Sequence, residues 1–337
     1  MAAKAKDFRN QLVKSTGLTD AAINAAWPEW WSETADASPS AQAELRFSIA
    51  RKLGLDPRSL LDNQEPSFFW DDSAKFKNFR GDAKNEQPAI AAFGTSVGRM
   101  LVNGTPELAG IGQLSAKQIR ASILRNERVP FVRLSDLLAT CWGIGIPVIH
   151  LKVYPLAAKR MCAMAIRSGD RHAILLAKDA NYPAMSAFHL AHEIGHIMLG
   201  HVTENSALID MEEPGTAHDA QADHEEEEAD RFALELLTGD ADFKIAKEGP
   251  GHNAKELAHE ARRLSIEYAI EPGTIALCYA YATQEWAVAQ AAMQEIYDQD
   301  IPAWRVTNQI ASNQLNWSEL SDENVSFLQA VMGGIGA

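Results

Sequence analysis

Two histidines four residues apart, His192 and His196, with Glu193 beside the first, are the residues best placed to do chemistry. On a helix, positions four apart lie one above the other on the same face. Two imidazoles so placed can bind one zinc ion. A carboxylate next to the first imidazole can take a proton from a water attacking a carbonyl, the work of a general base in hydrolysis. The pattern His192-Glu193-x-x-His196 fixes only three positions, so its flanks matter. Phe188, Ala191, Ile194, Ile197, Met198 and Leu199 surround the histidines with apolar surface, and Gly200 follows as a stop. A buried helix is therefore expected.

A hydrolytic zinc site takes three protein ligands and keeps one position open. The third ligand is expected in the stretch from Asp223 to Leu237, which runs through four consecutive glutamates. Ala229, Phe232, Ala233, Leu236 and Leu237 follow helical spacing and define its buried face. At about 100° per residue, Glu225 and Glu226 each lie roughly 50–60° from the centre of that face. Glu227 points nearly the opposite way, and Glu228 is well off to the side. Spacing thus leaves Glu225 or Glu226 as the inward carboxylate. Asp230 comes one turn after Glu226 and can hold a ligand histidine by its other ring nitrogen.

Other histidines compete. His189 shares a face with His192 and His196, so it is a candidate substrate or oxyanion group, as are Tyr182 and the connection 202–223. His201 comes too early for the third histidine of the extended H-E-x-x-H-x-x-G-x-x-H pattern, which falls at Val202, and Leu199 stands where that pattern has Gly. His218 and His224 sit in an acidic connection and read as solvated. A closed structural zinc site needs a fourth protein ligand, and only His189, His201, His218 or His224 offers one.

Phe188 to His201, followed by Glu225 to Leu237, resembles the ImmA/IrrE family of zinc metallopeptidases. That family's pattern is roughly A-H-E-x-G-H, then E-x-E-A-[ND]-x-F-A-x-x-L-L. The matching positions are Ala191 to His196, then Glu226, Glu228, Ala229, Asp230, Phe232, Ala233, Leu236 and Leu237. The resemblance implies a gluzincin-like fold with zinc held by His192, His196 and Glu226, and Glu193 as the base. It is the resemblance that selects Glu226 over Glu225. Two departures lie off these positions. Ala187-Phe188-His189-Leu190 replaces an R-x-F-T run, and Leu237 is followed by Thr238-Gly239 rather than Met-Pro. The resemblance further implies a protein substrate, often a DNA-bound repressor, cut in response to stress. The rival reading is a DNA- or protein-binding regulator, antitoxin-like, whose zinc fold no longer cuts peptides.

The chain has 337 residues, 46% hydrophobic and 23% charged, the balance of a globular protein with a sizeable core. Three widely spaced cysteines argue against a disulfide framework and for a cytoplasmic location. No apolar run reaches membrane-spanning length, and the N-terminus lacks the apolar core of a signal peptide. The net charge of −14 is uneven: residues 1–100 carry 13 basic and 13 acidic groups, residues 101–200 carry 11 and 6, and residues 201–337 carry 7 and 26. Such an acidic final third is a poor surface for a phosphate backbone, so any nucleic acid is expected on the first half.

The expected architecture is mainly α with a small β-sheet (α+β). It divides into a helical N-terminal region (1–87), a helical linker (88–128), a zincin-like metallopeptidase domain (129–240) and a helical C-terminal region (241–337). Within the first, Ile49 to Leu61 resembles the helix-turn-helix of repressor-like domains, with a Gly turn and a second helix capped near Asp56. This makes DNA a candidate partner. Aromatics interleaved with lysines and arginines between Pro66 and Gln87 could also stack on single strands, but such a stretch more often packs its rings and leaves its charges in water. Before the histidine helix, strands are expected at 148–153, 162–167 and 173–178, the last two joined by a hairpin turn at Ser168-Gly169-Asp170-Arg171. One of these strands is expected to hold an extended peptide by backbone pairing.

Overall fold

Helix starts in the first fifth of the chain follow their capping side chains. Thr19, Ser32, Ser38 and Asp56 each accept a hydrogen bond from a backbone N–H of the turn they open. The computed structural model describes residues 3–62, 64–69, 74–77, 86–108, 112–211, 220–245, 253–297 and 302–334. The first helices are α1 (Ala3–Thr16), α2 (Asp20–Ala26), α3 (Glu33–Asp36), α4 (Pro39–Leu53) and α5 (Pro57–Leu61). Gly54 ends α4 at φ 70°, and a Cβ there would lie 2.5 Å from the backbone of Ala92, so the position needs glycine twice over. The second helix of the expected helix-turn-helix, α5, is only five residues long, and its Ser59 and Leu60 are buried.

A short strand β1 (Lys75–Lys77) precedes α6 (Gln87–Asn103), α7 (Ala116–Leu124) and α8 (Leu134–Gly143). Then come β2 (Val148–His150), β3 (Met161–Ser168), β4 (Arg171–Leu176), α9 (Pro183–Leu199), β5 (Ala207–Met211) and α10 (Ala220–Thr238). The chain closes with α11 (Ala254–Tyr268), α12 (Pro272–Thr283), α13 (Trp286–Ile296), α14 (Ala303–Gln314) and α15 (Asp322–Val331). The fold is α+β, as the patterning implies: fifteen α-helices among the described residues around one five-stranded mixed sheet.

The sheet order is β1-β5-β3-β4-β2, with β3 antiparallel to both neighbours and the two outer pairs parallel. Side chains alternate across a strand, and β3 shows what this achieves. Met164 and Ile166 face α6, whose Gly94 and Gly98 leave room for them: a Cβ at either glycine would meet the facing side chain at about 2.5 Å. Ala163 and Ala165 face the other way, into a cluster with Leu190, Ala191 and Ile194 of α9. These small residues let the histidine helix lie close on the sheet. The α6-side cluster also takes in Phe8, Leu12 and Ile23 from the first helices and Phe327 and Val331 from α15.

Several expectations are corrected in detail. The hairpin at 168–171 is present, but β3 and β4 are interior strands and β2 is fully buried, its His150 backbone held by Asn308 of α14. None of the three therefore offers an open edge to a peptide. The connection 202–223 contains a strand, β5, and its residues 212–219, with His218, fall outside the described residues. The helical C-terminal region is broken between α12 and α13 at Gln284, which takes a φ of 62°. In the aromatic and basic stretch, Trp70, Phe79, Arg80 and Lys84 lie outside the described residues; Phe68 and Phe76 pack on the core, and Lys75 and Lys77 pair with Glu225.

Candidate metal centre

Helix α9 carries His189, His192, Glu193 and His196; helix α10 carries Glu225, Glu226, Glu228 and Asp230. What brings the two helices together is Gly195, between the histidines. A Cβ there would sit 3.2 Å from the carbonyl oxygen of Ala229 and from the Cβ of Phe232. Arg120 of α7 fixes the far end of α10. Its buried guanidinium donates to the carbonyls of Leu236 and Leu237, oxygens that a helix end leaves without partners, and to Ala269.

The outcome is a buried convergence of three side chains. His192 Nε2 and His196 Nε2 lie 2.9 Å apart. The oxygens of Glu226 lie 3.3 Å from each, Oε2 against His192 and Oε1 against His196. Of the two carboxylates that spacing left open, Glu225 turns to Lys77 of β1, with Nζ at 2.6 Å, and Glu226 turns to the histidines. Lys77 is itself buried and stands 3.8 Å from Glu226 Oε1.

The other ring nitrogens are held as well. His192 Nδ1 is 2.9 Å from Asp230 Oδ1. His196 Nδ1 is 2.8 Å from His201 Nδ1, and His201 Nε2 is 3.3 Å from Glu228 Oε2. A carboxylate only accepts, so it fixes which nitrogen of its histidine carries hydrogen. Asp230 takes the Nδ1 hydrogen of His192. Glu228 takes the Nε2 hydrogen of His201, whose Nδ1 then accepts from His196. The Nε2 atoms of both rings then face one another beside a carboxylate. Two Nε2 atoms at 2.9 Å need either a shared proton or a cation between them. The donor set fits a zinc-type ion.

With no ion bound, the surrounding charges favour a proton on His192 Nε2, which a metal would displace. Burial favours the neutral ring of His192, but Asp230 and Glu226 outweigh it and raise its proton affinity well above normal. His196, further from Asp230, is pushed down to about 4 by burial. Burial opposes the charge on Glu226 too, yet the two imidazoles hold its carboxyl well below the usual range. Glu193 is fully buried, and neither of its oxygens has a hydrogen-bond partner among the described residues. Burial, with Asp210 and Glu226 nearby, raises its proton affinity strongly.

The remaining expected residues separate. His189 lies one turn before Glu193 and meets Cys162 of β3 and Asp210 of β5. Tyr182 caps the start of α9, about 15 Å along the helix from His192 at 1.5 Å per residue. Its ring stacks on Tyr297, 5.3 Å between centroids, in the cluster formed with α11 to α13. His224 is exposed. Three further residues had weak or no sequence signals. His201, which the sequence offers only as a further metal ligand, instead sits against Nδ1 of His196. Lys77 comes from a three-residue strand. Tyr281 of α12 packs edge-on against Trp286, and its hydroxyl is pushed up to about 12 by burial and by Asp230 and Asp210. Tyr281, Phe188, Asp230, Leu234, Leu277 and Cys278 line a cleft of about 290 Å³ beside His192.

Residues 165–287, rather more than a third of the chain, match the family model Peptidase U49. No curated protein and no solved structure matches the chain. The matched stretch runs from the end of β3 into α13 and so contains the whole convergence of α9 and α10. It supports a peptide hydrolase acting on protein substrates. The narrower resemblance to ImmA/IrrE, and the metal, are matters for the site itself.

Proposed function

We propose that this protein is a zinc-dependent endopeptidase, with His192, His196 and Glu226 holding the ion and Glu193 as general base. The observation that carries the proposal is the meeting of two histidine Nε2 atoms and one carboxylate in a buried site. When bound there, zinc supplies Lewis acidity, polarising a carbonyl and acidifying water. The protein's own groups do the rest. Glu193, one residue after the first ligand, takes a proton from the attacking water and passes it to the leaving amine. Its unpartnered oxygens and raised proton affinity suit it to both steps. Asp230 and the pair His201–Glu228 keep the ligand rings in register. The cleft lined by Phe188, Leu277 and Tyr281 is the place for an apolar substrate side chain. Resemblance to the ImmA/IrrE pattern favours a regulatory protein, such as a transcriptional repressor, as substrate. The three widely spaced cysteines, none in a disulfide among the described residues, favour a cytoplasmic setting. Among the described residues no helix is long and apolar enough to cross a membrane.

Glu193→Gln tests the reading. The variant keeps the ligands and the shape but loses the base, so it is expected to retain the metal and to hold substrate without cutting it. A protein captured on it from cell extract should be cleaved by the wild type at least about 10²-fold faster. Equal cleavage by the variant, or a cellular effect that survives the substitution, would reject proteolysis in favour of a binding role.

A further inference from the structure

A second group of ligand-type side chains lies beside Glu193, and the proposed peptidase chemistry does not use it. Donor atoms of Cys162, His189 and Asp210 all lie within 4.8 Å of one another. They come from three elements. In the pairing of β3 with β5, Met161 faces Met211 and Ala163 faces Asp210, so Cys162 is the extra residue of a β-bulge. A bulge re-aims a side chain, and here the thiol turns to the α9 side, where His189 waits. Asp210 follows Leu208 by two residues and shares its face toward the histidine helix.

The group is largely buried, with His189 half-buried. Cys162 and Asp210 are 5% and 9% exposed. His189 Nε2 is buried and has no hydrogen-bond partner among the described residues, a costly state for a ring nitrogen. Asp210 also adds negative charge close to the buried carboxylate of Glu193. A cation among these groups would satisfy the free nitrogen and offset the anions together. A sulfur, a nitrogen and an oxygen make a donor set too soft for magnesium or calcium but suited to zinc. Tetrahedral zinc sets ligand atoms roughly 3.3–3.8 Å apart, so small side-chain adjustments close the set.

We propose that Cys162, His189 and Asp210 form a second metal site, for zinc or a similar thiophilic divalent ion, distinct from that of His192, His196 and Glu226. Binding releases the thiol proton to solvent, and the thiolate and carboxylate balance the two charges of the ion. The site does not depend on the peptidase reading.

Cobalt is the probe, because a cobalt–thiolate bond gives a near-ultraviolet charge-transfer band that histidine and carboxylate ligands do not. The full-length metal-free protein is expected to take up two Co²⁺ ions per chain and to show this band. Cys162→Ser should lose the band and one ion. Cys278→Ser, at the other cysteine near the cleft, should keep both. A His192→Ala, His196→Ala double variant should lose one ion and keep the band. Absence of the band in the wild type, where no variant can have disturbed folding, would overturn the proposal, as would its persistence in Cys162→Ser. One ion per chain with the band present would uphold this site and reject the other.

Discussion

Asp230 and His201 perform one task by different routes. Asp230 accepts directly from His192, at 2.9 Å, while His201 accepts from His196 and is itself held by Glu228. Removing such a partner frees the ring to turn without removing a ligand. Asp230→Ala and His201→Ala are each expected to weaken zinc about 10- to 100-fold, as judged by competition with a chromophoric chelator. Unchanged affinity in both would mean that packing alone orients the rings. At this scale much was legible. His192, Glu193 and His196 could be placed because four residues on one helix define a face. Glu226 could not be told from Glu225 by periodicity, since both stand equally far from the apolar face. What separates them in space is Lys77, about 150 residues upstream, which takes Glu225 for itself. A partner so remote leaves no local trace. Cys162 was hidden for another reason: a bulge changes which way a side chain points, and strict alternation does not foresee one.

At the scale of elements, the site depends on how closely α9 lies against α10. Gly195 permits this, with backbone of Ala229 only 3.2 Å from where a Cβ would stand. Gly195→Val is expected to force the helices apart, lowering stability by about 1–3 kcal/mol in urea unfolding and weakening zinc at the same time. A variant as stable as wild type that binds zinc normally would show that the contact yields easily. Helices α9 and α10 were both expected from their apolar spacing, and both formed. Strand β5 was not foreseen. It is five residues long and lies in a polar connection, where so short an apolar run gives little periodic signal. Nor was the break between α12 and α13, which occurs without glycine or proline: Gln284 takes a left-handed conformation, and Thr283 Oγ1 accepts from the N–H of Glu285.

At the scale of the whole molecule, the two ends of the chain are fastened to each other. Lys52 of α4 is buried, donates to the carbonyl of Ala26 and stands 3.4 Å from Glu323 of α15. Glu323 also accepts from Ser48 and from the Trp30 indole. Close by, the rings of Phe93 and Phe327 meet edge to face. Glu323→Ala would leave the Lys52 ammonium with one neutral acceptor. The expected loss is about 2–3 kcal/mol, somewhat less than for a fully buried pair because Glu323 is partly exposed. Urea unfolding gives the figure, and a change below about 0.5 kcal/mol would show that water takes over the partnership. The mainly helical class with one small sheet followed from the patterning, but this fastening did not. A lysine at position 52 reads as one more surface charge until a glutamate some 270 residues away folds over it.

The central claim, a zinc ion held by His192, His196 and Glu226, is tested most directly by elemental analysis of the purified wild type beside His192→Ala and Glu226→Ala. Zinc in the wild type, with each variant short by one ion per chain, is the expected result. No metal in the wild type, even after zinc is supplied, or an undiminished content in His192→Ala, would contradict the proposed centre and the peptidase mechanism with it.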